Sequence, residues 1–206
     1  MSKDSWGAVL TFEATGFVKD DDAASADYDE LMTSMKEGET EANKERGAAG
    51  YDAINLVGWA ERPQYDQAGH SIVWARNIKF SSSPVNTLNY DIRKLGRFGV
   101  LSMNMVSSMP QLAEIKGAAA KLRNAADFDQ GARYADFDDS VDKVAEYGVG
   151  GLVAAGVGVA VIKKLGFLGI ILAFGKKFFV LGLLAFAAIG RWVKGLFGRK
   201  DNDLEV

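Results

Sequence analysis

Histidine and the acidic side chains are the residues of this chain whose chemistry could support catalysis or metal binding. The sequence contains one histidine, His70, and no cysteine. Thiolate metal sites, disulfides and cysteine nucleophiles are therefore excluded. His70 lies in a turn-like segment, and no spacing in the sequence supplies a second imidazole beside it. We expect His70 to be a polar turn residue.

Acidic residues are concentrated in three segments, and carboxylate clusters of this kind can bind divalent cations. The segments are residues 19–23, 26–30 and 127–142. In the last, Asp127, Asp129 and Gly131 match only part of a calcium-binding loop, and its closing glutamate is missing. Solvated loops and helix N-caps are the commoner reason for such runs. The sequence predicts no catalytic residue, no metal site and no cofactor.

The elements that must position these residues are those of a small α+β domain. Alternating apolar residues predict a first strand containing Trp6, Ala8, Leu10 and Phe12. Four further strands are predicted within residues 54–60, 70–80, 85–95 and 98–106, and the short turn-like connections between them favour antiparallel pairing with one polar face.

Two helices are predicted to accompany the strands. One begins near Asp27 with the apolar stripe Tyr28, Leu31, Met32 and Met35, and residues 36–50 continue it as a solvated helix end and loop. The other begins at Ser108, where a capping box is followed by the stripe Leu112, Ile115, Ala119, Leu122 and Ala126. The predicted order is β-α-β-β-β-β-α, a small antiparallel sheet with packed helices and a C-terminal membrane helical segment.

Charge divides the chain into an acidic part and a basic part. Residues 147–200 contain eight Lys and Arg residues and no Asp or Glu, whereas residues 1–146 carry a net charge of −8. Basic residues interleaved with apolar runs favour anionic lipid over nucleic acid as a partner. We divide the chain into an acidic α+β domain (1–130), an acidic linker (131–146), a glycine-rich membrane segment (147–198) and a polar tail (199–206).

The sixteen uncharged residues 147–162 predict a first membrane span. As a helix they would extend ~24 Å, slightly less than a hydrocarbon core of ~30 Å. Gly150, Ala154 and Gly158 recur every four residues, which predicts close helix–helix packing in a hairpin or between subunits. The residues expected at the membrane interface are Tyr147, Lys163, Lys164, Lys176, Lys177 and Trp192.

Lys176 and Lys177 leave three topologies open. A single span over residues 165–190 would bury both lysines at a cost of at least about 5 kcal/mol. A short interfacial piece between the two lysine pairs, followed by a second span over residues 178–197, keeps all four lysines at one membrane face, and we prefer it. The third topology has one crossing followed by a surface-bound helix.

Four runs in the same order carry a resemblance to a known family: "WGAVLTFEATGFVKDDDA", "GWAERPQYD", "VNTLNYDIRKLGRFGVLSMN" and "RYADFDDSVDKVAEYGVGGLVAAG". Together they resemble a bacterial family of uncharacterised membrane-anchored proteins, a domain of unknown function, over most of residues 5–190. Members generally begin with a signal peptide and an additional N-terminal segment, both of which we expect this chain to lack. The resemblance implies a bacterial inner-membrane protein with a periplasmic domain, whereas a native start at Met1 implies a cytoplasmic domain. It implies no activity and no site residues.

These observations favour a non-enzymatic, membrane-anchored interaction or assembly module of the bacterial envelope. Its expected partners are the lipid bilayer and further copies of itself, through the membrane helices, with no nucleic acid. The first alternative is a membrane-assembling or pore-forming subunit in which Lys176 and Lys177 face an aqueous lumen. A divalent-cation-dependent hydrolase using the acidic segments is the second alternative.

Overall fold

A five-stranded antiparallel sheet forms the centre of the computed structural model, which describes residues 6–155. The predicted α+β class and the antiparallel sheet are thereby confirmed. The strands are β1 (Gly7–Glu13), β2 (Ile54–Asp66), β3 (Ser71–Phe80), β4 (Thr87–Leu95) and β5 (Val100–Ser108). The helices are α1 (Tyr28–Glu37), α2 (Glu39–Ala48), α3 (Leu112–Ala125) and α4 (Val149–Ala155), with short 3-10 turns at Met109–Gln111 and Tyr134–Asp136.

The strand order is β1-β5-β4-β3-β2, in which short turns between successive strands determine the order of β2 to β5. Strands β2 to β5 form a meander, because each turn returns the chain antiparallel to the strand before it. β1 pairs with β5, with Gly7 opposite Val106 and Glu13 opposite Val100. β1 and β2 are therefore the two edges of the sheet, and all seven residues of β1 are exposed.

Each face of the sheet carries its own hydrophobic core. On the face that we call the α1 face, Ile72 and Trp74 are fully buried and belong to the same cluster as residues of α1 and α4. On the opposite face, called the α3 face, Ile92 and Met103 pack against Ile115 of α3. The sheet thus separates α1 and α4 from α3, and alternate residues of one strand serve different cores.

Local capping signals in the sequence correctly located the starts of two helices. The Asp27 carboxylate accepts hydrogen bonds from the backbone N–H groups of Asp29 and Glu30, at 3.1 and 3.0 Å, and so caps α1. The predicted capping box of Ser108 and Gln111 is present just before α3. The four stripe residues of α1 that the periodicity predicted are all buried.

The region after α1 differs from the prediction of a solvated helix end and loop. It contains a second helix, α2, that has no buried residue. Since few of its side chains are apolar, no hydrophobic stripe marks it in the sequence. Within residues 6–155, no helix has both the length and the apolarity needed to cross a bilayer.

Candidate functional site

α2 is held against the sheet by polar side chains that bond to the backbone of the edge strand β2. The Asn43 side chain donates to the carbonyl oxygen of Ile54 and accepts from its N–H, both at 2.8 Å. The Glu39 carboxylate accepts from the N–H of Leu56. An edge strand presents unpaired backbone groups, and α2 supplies partners for those of Ile54 and Leu56.

A cavity of about 590 Å³ lies between α2 and the sheet. The side chains of Ala42 and Ala49 line it and are too short to fill the space. Small-molecule sites in proteins typically have volumes of about 300–1,000 Å³ and apolar walls with a few convergent polar groups. The apolar lining residues include Met35, Tyr51, Ile54, Leu56, Ile78 and Phe80, and the polar ones are Glu39, Asn43, Glu45, Arg46, Arg76 and Asn89.

A buried guanidinium group forms part of the cavity lining on the sheet side. Arg76 of β3 is 6% exposed, and its Nη2 donates to Asn89 Oδ1 at 3.0 Å and to Asp91 Oδ2 at 3.1 Å. Burial lowers the pKa of Arg76, and the Asp91 carboxylate opposes that shift. An arginine remains charged in such a setting, because its ordinary pKa lies far above neutral pH.

Arg76 belongs to a buried ionic cluster, which we define as Arg76, Asn89, Asp91, Arg93 and Asn104. Arg93 Nη2 lies 3.2 Å from Asp91 Oδ1, and the Arg93 guanidinium stands 5.4 Å above the ring of Trp74. The Asn104 amide donates to Asn89 Oδ1 and Asp91 Oδ1, both at 2.9 Å. The buried Asp91 carboxylate therefore contacts two guanidinium groups. Removal of any one of these three charged groups would leave a buried charge without its partner.

The ionic cluster lies on the polar face that the sequence predicted for the sheet, but this part of the face is buried. In β4, Asn89, Asp91 and Arg93 alternate with Leu88, Tyr90 and Ile92, as the pattern indicates. Both sets are at least partly buried, since helices cover both faces. Alternation distinguishes the two sides of a strand and contains no information about what packs on each side.

His70 has partners that the sequence did not indicate. Its Nδ1 lies 3.6 Å from Asp20 Oδ2, and the Tyr65 hydroxyl donates to the same oxygen at 2.6 Å. The imidazole stacks on Tyr134, with ring centroids 4.1 Å apart. Burial, followed by the hydrogen bond to Asp20, raises the pKa of Tyr65, so this phenol acts as a neutral donor.

The contacts of His70, Tyr65 and Asp20 link the β2–β3 turn to the segment that precedes α1. None of these three side chains is a recognisable nucleophile. His70 does occupy a turn, with a φ of 43°. Among residues 6–155, no three His, Cys, Asp or Glu side chains are grouped closely enough to hold a metal ion.

The acidic segment 127–142 uses its carboxylates to fix the loop after α3. The Asp142 carboxylate accepts from Arg97 Nε at 2.7 Å and from the Asp138 N–H at 2.8 Å. The hydrogen bond from Arg97 is the main reason that the pKa of Asp142 is lowered. Asp136 accepts from the N–H of Gly131 at 2.7 Å. These hydrogen bonds stabilise the conformation of the loop.

Three of the residues predicted to pack membrane helices or to lie at the membrane interface fall within the described chain. Tyr147 is half-buried against the core of the α1 face. The Gly150 N–H donates to Asp22 Oδ2 at 3.0 Å, and Ala154 belongs to the same core cluster as α1. The structure thus brings all three to the domain core. The remaining predicted residues, Gly158, Lys163, Lys164, Lys176, Lys177 and Trp192, lie outside residues 6–155.

Comparison with known proteins identifies the family of the chain and gives no activity. No curated protein matches the sequence, and no solved structure matches it. A family model described as "Protein of unknown function (DUF2167)" matches residues 1–187, which is most of the 206-residue chain. The chain therefore belongs to the DUF2167 family of proteins of unknown function.

Proposed function

We propose that this chain is a membrane-anchored, non-enzymatic binding module whose α+β domain takes a small apolar molecule into the cavity beneath α2. The single observation that carries the proposal is the cavity itself. Its volume of about 590 Å³ and its largely apolar lining suit a small-molecule ligand. The polar groups among its lining residues would fix the orientation of that ligand.

The chemistry of the lining supports binding over catalysis. Glu39 and Asn43 bond to the backbone of β2, and Arg76 is held by Asp91 and Asn89. General acid–base or nucleophilic catalysis requires a reactive group within hydrogen-bond reach of a base. The lining offers amides, guanidinium groups, two carboxylates and the Tyr51 phenol, and these can recognise a molecule. The lining residues that the structure describes include no Ser, Thr, Cys, His or Lys that could act as a nucleophile beside a base.

The tail composition supports attachment to a bilayer. Residues 147–200 combine long apolar runs with eight basic residues and no acidic residue, a pattern suited to anionic lipid. The proposal includes self-association through the membrane helices and a location in the bacterial inner membrane with the domain in the periplasm. Such a module would bind its ligand beside the membrane, where apolar molecules are concentrated.

A fluorophore at the cavity tests the binding proposal. The natural chain has no cysteine, so Glu45→Cys allows acrylodan to be attached beside the cavity alone. We expect octanol to change the emission of this probe on the full chain held in phosphatidylcholine nanodiscs. Acrylodan at Lys121→Cys, an exposed residue of α3, should not respond.

A cavity-filling substitution provides the matched pair of variants for this titration. Ala42→Trp places an indole in the cavity and should abolish the octanol response, whereas Ala120→Trp on the exposed side of α3 should leave it intact. Equal responses in these two variants would show that octanol acts elsewhere, and the binding proposal would be wrong.

A further inference from the structure

We infer that the ligand of the cavity is a single-chain amphiphile whose carboxylate head group is bound by Arg76. This inference rests on the proposed function, because it assigns a ligand class to the same cavity. It follows from three features of the lining: a fixed cation, an apolar path and the distribution of charge.

The fixed cation is the guanidinium of Arg76. Its side chain is 7% exposed and reaches the cavity from β3. Asp91 and Asn89 hold the guanidinium from the sheet side through Nη2, so its orientation is set before a ligand arrives. A guanidinium keeps its charge when buried, and its N–H groups form charge-assisted hydrogen bonds with carboxylate oxygens, which suits a carboxylate head group.

The apolar path consists of side chains from two neighbouring strands. Ile54 and Leu56 of β2 and Ile78 and Phe80 of β3 line the same cavity as Arg76. At roughly 30 Å³ for a water-sized group, 590 Å³ accommodates about 20 such groups. A short alkyl chain therefore fits, and its methylene groups would be removed from water along these side chains.

The distribution of charge places the head group at Arg76 and selects its sign. The ionic cluster contains two guanidinium groups and one carboxylate, so a ligand carboxylate adds attraction there and a ligand ammonium adds repulsion. Elsewhere in the lining Glu39 and Glu45 outnumber the one cation, Arg46, so that part carries net negative charge. An anionic head group is thereby favoured beside Arg76 and disfavoured beside the two glutamates.

Three ligands of equal chain length test the inference with the Glu45→Cys acrylodan probe. Octanoate, octanol and octylamine differ only in the charge of the head group. We expect octanoate to half-saturate the response at a concentration about tenfold lower than octanol does, with octylamine the weakest. In Arg76→Gln, octanoate should lose this advantage and fall within about threefold of octanol. The octanol response should persist in that variant.

The outcomes separate the ligand class from the proposed function. If octanol gives a response that Ala42→Trp abolishes but octanoate binds no better, the ligand class is wrong and the binding module stands. If octanol gives no response sensitive to Ala42→Trp, the binding module itself is wrong.

The test does not depend on the Arg76→Gln variant alone. The ranking of the three ligands in the wild-type chain needs no substitution at Arg76, so it decides the sign of the head group even if Arg76→Gln does not fold. Arg46→Gln removes the other lining cation. Loss of the octanoate preference in that variant, with retention in Arg76→Gln, would assign the head group to Arg46 and overturn the inference.

Discussion

The carboxylate of Asp22 caps helix α4 by accepting a hydrogen bond from the Val149 N–H at 2.8 Å. Its other oxygen accepts from the Gly150 N–H at 3.0 Å. The first acidic segment of the chain is thereby connected to the first turn of the glycine-rich region. A β-carbon at Gly148 would collide with this carboxylate, so the glycine allows the close approach.

Loss of this cap should destabilise the domain. Asp22→Ala removes the acceptor of two backbone N–H groups, and we expect the free energy of unfolding to fall by about 1 kcal/mol, within the 0.5–2 kcal/mol typical of N-caps. Urea unfolding of the full chain measures the change. Asp21→Ala, at the exposed neighbouring position, is the control and should stay within about 0.5 kcal/mol of wild type. Equal losses in both variants would contradict the capping role.

The pH dependence of stability should also report on Asp22. Burial raises the pKa of this carboxyl in the folded state and outweighs the hydrogen bonds from Gly150 and Val149, which lower it. The folded state then binds the Asp22 proton more tightly than the unfolded state does. Protonation of Asp22 therefore stabilises the fold at low pH, and this stabilisation is lost as pH rises through the folded-state pKa. Relative to Asp22→Asn, wild type should lose stability as pH rises above about 4, the ordinary pKa of an aspartate. A difference that stays constant as pH rises would refute the assignment.

Removal of the buried carboxylate Asp91 should cost far more than removal of an exposed one. Asp91→Ala leaves Arg76 and Arg93 without the charge that bridges them, and we expect a loss of about 3–5 kcal/mol in unfolding free energy. Asp29→Ala breaks an exposed ion pair with Arg62 and should cost at most about 1 kcal/mol. Similar values for the two variants would show that the ionic cluster is solvated in the protein.

Gly99 is required where β5 approaches the end of β1. A β-carbon at this position would overlap the carbonyl oxygen of Glu13, a backbone atom. Gly99→Ala should therefore destabilise the domain by about 1–3 kcal/mol. Gly117→Ala, in α3 with open space around it, should stabilise by about 0.5–1 kcal/mol, since alanine favours the helix. Thermal unfolding distinguishes the two, and a tolerated Gly99→Ala would mean that β1 can shift away.

The proposed membrane topology can be tested by thiol labelling of intact cells with an impermeant reagent. Single cysteines at Glu45, Leu165 and Asn202 report on the domain, the lysine-rich connection and the C-terminus. Ala154 lies in the domain core, so only residues 155–164 lie between it and Leu165, and as a helix they would extend ~15 Å, too short for a hydrocarbon core of ~30 Å. We therefore expect Glu45→Cys and Leu165→Cys to label from one side and Asn202→Cys from the other, after a crossing by residues 178–197. Leu165→Cys on the side opposite Glu45→Cys would contradict this topology. Labelling of all three from one side would contradict anchoring by a crossing helix.

The parts of the fold that were predictable from the sequence depend on neighbours along the chain. The cap of Asp27 and the buried stripe of α1 involve residues within a turn or two of each other. The strand meander was predictable because apolar alternation and short turns are local signals. α2 escaped prediction because polar contacts to β2 hold it in place, and these leave no hydrophobic period.

The candidate site depends on contacts between distant residues, which a single sequence does not reveal. Asp20 and His70 meet only after the β2–β3 hairpin packs beside the segment that precedes α1. The polar side of β4 was visible in the sequence, yet nothing near Asp91 in the chain indicates that helices cover it. The cavity arises from the gap between a polar helix and a sheet, so no motif encodes it.

The sheet order has a consequence for biosynthesis. β1 leaves the ribosome before β2, β3 and β4, and its partner β5 is synthesised only after all of them. The meander can form from successive hairpins, whereas β1 must wait for a contact of long sequence separation, which is the slow kind to form. During that interval the backbone N–H and C=O groups of β1 lack the strand that they pair with in the folded domain. β1 therefore stays unpaired until β5 has been synthesised, and it is open to pairing with another chain for that time.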